Sequence, residues 1–264
     1  MTSPKVLVLT GYGINCDEET KFAFERAGAR ADIVHVNDLI EIPKKLDNYQ
    51  IVVFPGGFYY GDDTGSGNAI AWRIRNNLGI ENFIGGDKLV LGICNGFQVL
   101  VNLGLLPALD CQYGERQVAL NHNDSARYLN RWVDLEFNGK SPWVVGVGKI
   151  SLPIAHGEGN FYAAPGVLDG IKRKNLATVK YTLGEICRHQ NLPPNPNGSL
   201  EDIAGITDET GKIFGLMPHP ERAITFTQLP HWTFLREKYI RERIGIPEEA
   251  GGIKIFKNGV DYFR

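Results

Sequence analysis

Residues 89–100 read LVLGICNGFQVL. Leu89 to Ile93 are strand formers with no polar residue to mark a wet face. Phe97, Val99, Leu100 and then Leu103 fall at helical spacing. Between them Gly92-Ile93-Cys94-Asn95-Gly96 must turn the chain from strand to helix with almost no spacer. An apolar strand that feeds straight into a helix is the unit of a parallel sheet covered on both faces.

The same alternation recurs outward from this stretch. Lys5–Leu9, Ala31–His35, Gln50–Phe54, Lys88–Ile93, Gly148–Pro153, Thr178–Tyr181 and Ile213–Leu216 read as strands, with amphipathic segments between the early ones. Asn15 is the expected cap of a first helix with Asp17, Glu18 and Glu19 in its first turn. That helix would bury Phe22, Ala23 and Ala27 and stop at Gly28. Residues 110–185 have more strand and turn character and predict an antiparallel flap or edge. Asn191 to Gly198 is a loop by its prolines and glycine. A last helix is expected near His231–Ile244, with Trp232, Leu235, Tyr239 and Ile240 on one side. The fold class is therefore α/β: a doubly wound, mostly parallel sheet flanked by helices, with an antiparallel edge or flap.

The chain has 264 residues, 43% hydrophobic and 22% charged, enough for one large core. No internal repeat or linker divides it, so one domain over 1–264 is expected, with a C-terminal extension from about residue 227. A net charge of −2 gives no basic excess for nucleic acid. The N-terminal apolar run is too short for a secretory signal or a membrane span. The expectation is a cytoplasmic protein with no membrane and no nucleic-acid partner. The four cysteines, Cys16, Cys94, Cys111 and Cys187, show no metal-binding spacing, so no metal is expected.

Gly-x-Cys-x-Gly between a buried strand and a helix is the cysteine form of the nucleophile elbow. Small flanking residues relieve the crowding of so tight a turn. The following helix aims free N–H groups at the sulfur and favours thiolate. The Asn95 amide would face a developing oxyanion. A buried structural cysteine fits the same pentapeptide; a base separates the two readings. Among six histidines, His219 in Met217-Pro-His-Pro-Glu221 stands out, because Pro218 and Pro220 hold it extended. Residues two apart then face one side, so Glu221 can reach the imidazole as the third member of a triad. Pro55-Gly56-Gly57-Phe58 ends another apolar strand, and its turn can offer a second oxyanion donor from Gly57 or Phe58. Gln98, one helical turn after Cys94, can meet a small polar substrate or solvent.

Taken together, PGGF at 55–58, GICNGFQ at 92–98 and MPHPE at 217–221 resemble the class I, triad-type glutamine amidotransferases. GINCDEET at 13–20, YGDD at 60–63, NGFQVLVNLGLLP at 95–107, PIAHGEGNFY at 153–162 and NPNGSLEDIAGI at 195–206 are similar, within that class, to the glutaminase subunits of phosphoribosylformylglycinamidine synthase. The resemblance spans about residues 5–225. It implies a flavodoxin-like sheet, with Cys94 as nucleophile, His219 as base and Glu221 as its orienter. It implies an oxyanion hole from Gly57 and Asn95, and substrate contacts from Gln98, Phe58, His156 and Glu158. It further implies hydrolysis of L-glutamine through a thioester. Ammonia would pass to a large ATP-dependent synthetase subunit that makes formylglycinamidine ribonucleotide in purine biosynthesis, with a small third subunit as a further partner. No cofactor is implied in this chain. ATP and Mg belong to the synthetase, in keeping with the lack of a GxxxxGK[ST] loop here.

Two features stand apart from the pattern or from its chemistry. Thr64-Gly-Ser-Gly-Asn68 replaces a region where many members carry an arginine in a smaller loop, and Cys16 matches the family without an evident task. The residues leave open an amidotransferase subunit serving another synthetase, or a cysteine γ-glutamyl hydrolase acting alone.

Overall fold

A computed structural model describes residues 3–79, 81–84 and 86–264. The chain begins β1 (Lys5–Thr10), α1 (Asp17–Arg26), β2 (Arg30–His35), α2 (Val36–Glu41), β3 (Ile51–Phe54), α3 (Asn68–Asn77), α4 (Glu81–Ile84), β4 (Leu89–Ile93) and α5 (Asn95–Asn102). Then follow β5 (Val118–His122), β6 (Leu129–Phe137), β7 (Lys149–His156), β8 (Glu158–Ala163), α6 (Pro165–Lys174), β9 (Val179–Thr182) and α7 (Glu185–Gln190). Last come β10 (Ile203–Thr207), β11 (Ile213–Leu216), α8 (Trp232–Glu242) and α9 (Ile253–Asp261).

A nine-stranded sheet runs in the order β2-β1-β3-β4-β11-β10-β9-β6-β7. Its first five strands are parallel, and β10, β9, β6 and β7 continue it antiparallel. The parallel strands β3, β4 and β11 are buried at every residue, which is why they read as unbroken apolar runs. The expected antiparallel flap is larger than one edge. It takes four strands of the main sheet and the separate hairpin-like pair β5–β8. Strands β5, β6, β8 and β10 escaped the sequence reading because polar residues interrupt them, or because, as in β10, glycine does.

Two local expectations need correction. Cys16, not Asn15, is the N-cap of α1, and Asn15 instead accepts a hydrogen bond from the Cys16 thiol at 3.1 Å. The buried aromatic of α1 is Phe24, whose ring meets Phe256 of α9 edge-on at 5.0 Å, whereas Phe22 is 50% exposed. The rest of the expected stripe holds, since Ala23 and Ala27 are both buried. The expected C-terminal extension puts Ile253, Ile255, Phe256 and Val260 into the core. Of the stripe expected on α8, Leu235 is buried but Ile240 is exposed. No helix among the described residues is long and apolar enough to cross a membrane.

The strand order reverses between β1 and β3, and the loops leaving β1, β3, β4 and β11 lie at one edge. In an open α/β sheet that edge is where ligands bind.

Candidate active site

Cys94 sits between β4 and α5 with φ 52° and ψ −108°. A non-glycine residue in such a conformation costs on the order of 1–3 kcal/mol and persists only when its surroundings impose it. Here Cys94 N donates to Leu216 O at 2.8 Å, tying the elbow to β11. The two glycines are there for space. A Cβ on Gly96 would lie 1.8 Å from Phe54 O, and one on Gly92 2.7 Å from Gly96 O. Only glycine lets α5 start this close to the sheet.

The segment after β11 delivers His219 and Glu221 beside the sulfur. His219 Nδ1 and Glu221 Oε1 are 2.6 Å apart, and both side chains are almost wholly buried. The carboxylate therefore fixes Nδ1 as the protonated nitrogen. Among the described residues, none hydrogen-bonds His219 Nε2. Burial alone would lower the imidazole pKa. The Glu221 charge, then the Cys94 sulfur and a contact from Cys16, outweigh it and hold the pKa well above the usual histidine value. The same charge that orients the ring thus favours imidazolium. The Cys94 thiol points to Ala155 O at 3.7 Å, and His219 N donates to Pro153 O at 2.9 Å. Both acceptors belong to β7, the outermost strand of the antiparallel half.

The turn after β3 comes alongside. Phe58 N donates to Gly13 O at 2.8 Å, Tyr60 N to Tyr12 O at 2.9 Å and Cys16 N to Gly56 O at 3.2 Å. The Phe58 amide is thereby committed. Among the described residues, the Gly57 amide and that of Asn95, at the first position of α5, donate to no backbone acceptor. Phe58 instead offers its ring, 6.2 Å from that of Tyr128 at the site's mouth.

Gln98 and Glu158 meet on the other side of the elbow, in a cleft of about 310 Å³ lined also by Ser66, Asn68, Arg116 and His122. The Gln98 carboxamide is already engaged: Nε2 donates to Glu158 O at 2.5 Å, and Oε1 accepts from Asn95 Nδ2 at 2.8 Å. Its expected freedom for substrate is therefore reduced. Asn95 Nδ2 also reaches Asp62 Oδ1 at 3.1 Å, and Tyr59 N donates to Asn95 Oδ1 at 3.1 Å. Asp62, which the sequence placed in YGDD without a role, accepts further from Gly67 N and Ser66 Oγ at 3.2 Å each. Burial is the main cause of its raised pKa, with those donors opposing. The stretch 64–68 closes over Asp62 and Glu158: Ser66 N lies 3.3 Å from Glu158 Oε2.

His156 is not at an open surface. It is 3% exposed, and its Nδ1 faces Asn123 Oδ1 at 3.1 Å while Asn123 Nδ2 holds the His156 carbonyl at 2.8 Å. Burial, then the nearby His219 charge, pushes its pKa down to about 3. It packs against Gly159, where a Cβ would lie 2.5 Å from the ring. Direct contact between His156 and substrate is therefore not what this packing favours. Asn123 gave no signal in the sequence, because nothing local links it to a histidine 33 residues away.

The family of CobB/CobQ-like glutamine amidotransferase domains matches residues 3–263. The chain is 49% identical over 99% of both chains to phosphoribosylformylglycinamidine synthase subunit PurQ of Methanococcus maripaludis strain C5. It is 42% identical to the PurQ subunit of Dehalococcoides mccartyi strain ATCC BAA-2266, covering 100% of this chain and 99% of that one. A solved structure of PurLQS from Thermotoga maritima superposes with a TM-score of 0.70 at 31% identity over 100% of both chains. A strand–helix elbow bearing cysteine, a buried His–Glu pair beside it and full-length similarity of this degree lead to one assignment: the chain belongs to the glutamine amidotransferases, in the phosphoribosylformylglycinamidine synthase subunit PurQ family.

Proposed function

We propose that the chain is the glutaminase of a phosphoribosylformylglycinamidine synthase, with Cys94, His219 and Glu221 as its catalytic triad. The observation that carries this is the convergence of the strained Cys94 elbow with the buried His219–Glu221 pair at 2.6 Å. The thiolate attacks the side-chain carbonyl of L-glutamine, stabilised by the positive end of α5. The free amides of Gly57 and Asn95 stabilise the oxyanion. The His219 imidazolium protonates the leaving ammonia, and the neutral ring then takes a proton from the water that cleaves the glutamyl thioester. Glu221 keeps the tautomer required for both steps. Gln98 and the backbone at Glu158 shape the substrate pocket. The Phe58 ring guards its mouth, and His156, the last residue of β7, fixes that strand's end to Asn123.

Bulk water would protonate the ammonia and end its nucleophilicity. It passes instead to a large synthetase subunit, which holds ATP and Mg, as the PurLQS assembly of the Thermotoga relative suggests. A small third subunit completes such a complex. The chain acts as one unit, in the cytoplasm, with no cofactor of its own. Cys94→Ala in the complex reconstituted with its synthetase should abolish glutamine-dependent synthesis and leave ammonia-dependent synthesis intact. Glutamine use by that variant would refute the nucleophile. Wild-type turnover of γ-glutamyl substrates without any synthetase would favour a hydrolase acting alone.

A further inference from the structure

The mechanism above leaves a second buried sulfur unused. Cys16 lies at the end of the loop after β1, with its side chain 1% exposed, and no catalytic step needs it. Its surroundings are nevertheless those of the base. A Cβ on Gly56 would sit 2.7 Å from His219 Cε1 and 3.1 Å from Cys16 Sγ, so ring, sulfur and oxyanion turn meet at one point. A ligand atom of Cys16, one of His219 and one of Glu221 all lie within 4.8 Å of one another.

The sulfur is itself held. Arg222 Nη2 donates to Cys16 Sγ at 2.9 Å, and Arg222 Nε is fixed by Glu19 Oε1 at 3.1 Å. The thiol proton is directed to Asn15 Oδ1 at 3.1 Å. Burial raises the Cys16 pKa, so the group stays a thiol rather than a competing thiolate. A guanidinium on the sulfur also makes this trio inhospitable to a metal cation.

Among the described residues, the one hydrogen bond within ordinary distance on the His219 side chain is that to Glu221. A ring on a single hydrogen bond can swing unless something stands beside it. We infer that Cys16 is the positioning residue for His219. Its thiol braces the imidazole so that Nε2 stays aimed at Cys94. Its backbone N–H, bonded to Gly56 O at 3.2 Å, registers the oxyanion turn against the same ring. One residue thereby sets the base and the oxyanion donor relative to each other, with Arg222 and Glu19 tying it to the start of α1.

This rests on His219 being the base, and the test separates the two ideas. Cys16→Ala, Cys16→Val and Cys16→Ser are measured in the complex reconstituted with the synthetase, beside His219→Ala. Displacement of a reacting group by about 1 Å can cost up to 10²-fold. Cys16→Ala and Cys16→Val should therefore lose about 10-fold or more in kcat for glutamine, with KM little changed. Ammonia-dependent synthesis should be unchanged. Cys16→Ser, which keeps a small polar group, should recover most of the rate. Because the Cys16 contact favours imidazolium, its loss should move the alkaline limb of the kcat/KM profile to lower pH. A wild-type rate and pH profile in Cys16→Val would overturn the inference, since volume alone would then suffice. Loss of ammonia-dependent synthesis in all three variants would also overturn it, by showing a structural role only. Glutamine turnover surviving in His219→Ala would instead remove the base on which it rests.

Discussion

His156 is the residue where burial and charge make the clearest solution prediction. Its folded pKa, about 3, lies below the ordinary 6.5, so between these values the unfolded chain binds the extra proton. Stability from this group is therefore fully present above about pH 6.5 and is lost as pH falls toward 3. The loss is roughly 1.4 kcal/mol per pH unit. Urea unfolding at several pH values from about 4 to 7 should show this slope in the wild type. His156→Asn removes the titrating group, and its curve should be flatter by about one proton. Parallel curves would contradict the assignment. At the same scale, the elbow was readable because its tight turn is local; in MPHPE His219 is extended as expected, but Pro220–Arg222 form a 3-10 turn, and it is this turn rather than an extended stretch that brings Glu221 to the ring. The Asn123 partner of His156 was not readable, since a hydrogen bond across 33 residues leaves no local mark.

At the scale of elements, α5 against β3 is the critical approach. A methyl on Gly96 would lie 1.8 Å from Phe54 O, a backbone atom that cannot move without breaking the β3–β4 pairing. Gly96→Ala should cost more than about 3 kcal/mol and carry glutaminase activity down with it, as measured by chemical denaturation. Gly166, in the first turn of α6, has nothing within 4 Å of an added Cβ. Gly166→Ala should be neutral or stabilising, by about 0.5–1 kcal/mol. Equal effects of the two substitutions would refute the packing argument. The parallel strands were visible from sequence because burial on both faces leaves apolar runs. The antiparallel strands β5, β6 and β8 were blurred, because polar residues fall on both of their faces, as Asn130, Arg131 and Glu136 do in β6. The helix α1 was placed one residue early, because Asn15 is the better capping type but Cys16 is the one the chain puts there.

For the whole molecule, the C-terminal segment is part of the core. Ile253, Ile255, Phe256 and Val260 are buried, Phe256 against Phe24, and Asn258 Nδ2 donates to Trp143 O and Val145 O at 2.9 Å each. At roughly 1.5–3 kcal/mol per buried apolar side chain, these four supply roughly 6–12 kcal/mol. That is comparable to the whole net stability of an ordinary domain, about 5–15 kcal/mol. A chain ending at Gly252 should lose near-UV circular dichroism and cooperative unfolding, and with them the ability to support glutamine-dependent synthesis. Retention of a sharp thermal transition would show the segment to be dispensable.

By itself the sequence determined the parallel half of the sheet, the cysteine elbow, and the pairing of His219 with Glu221. Each depends on steric limits or periodicities that act within a few residues. Only the tertiary structure decided what surrounds that nucleus. It commits the Phe58 amide to Gly13 and engages the Gln98 carboxamide with Asn95 and Glu158. It brings Pro153 and Ala155 of β7 to His219 and Cys94, and it sets Cys16 beside the imidazole. These contacts join residues distant in the chain through the packing of a nine-stranded sheet. No local propensity encodes such a meeting.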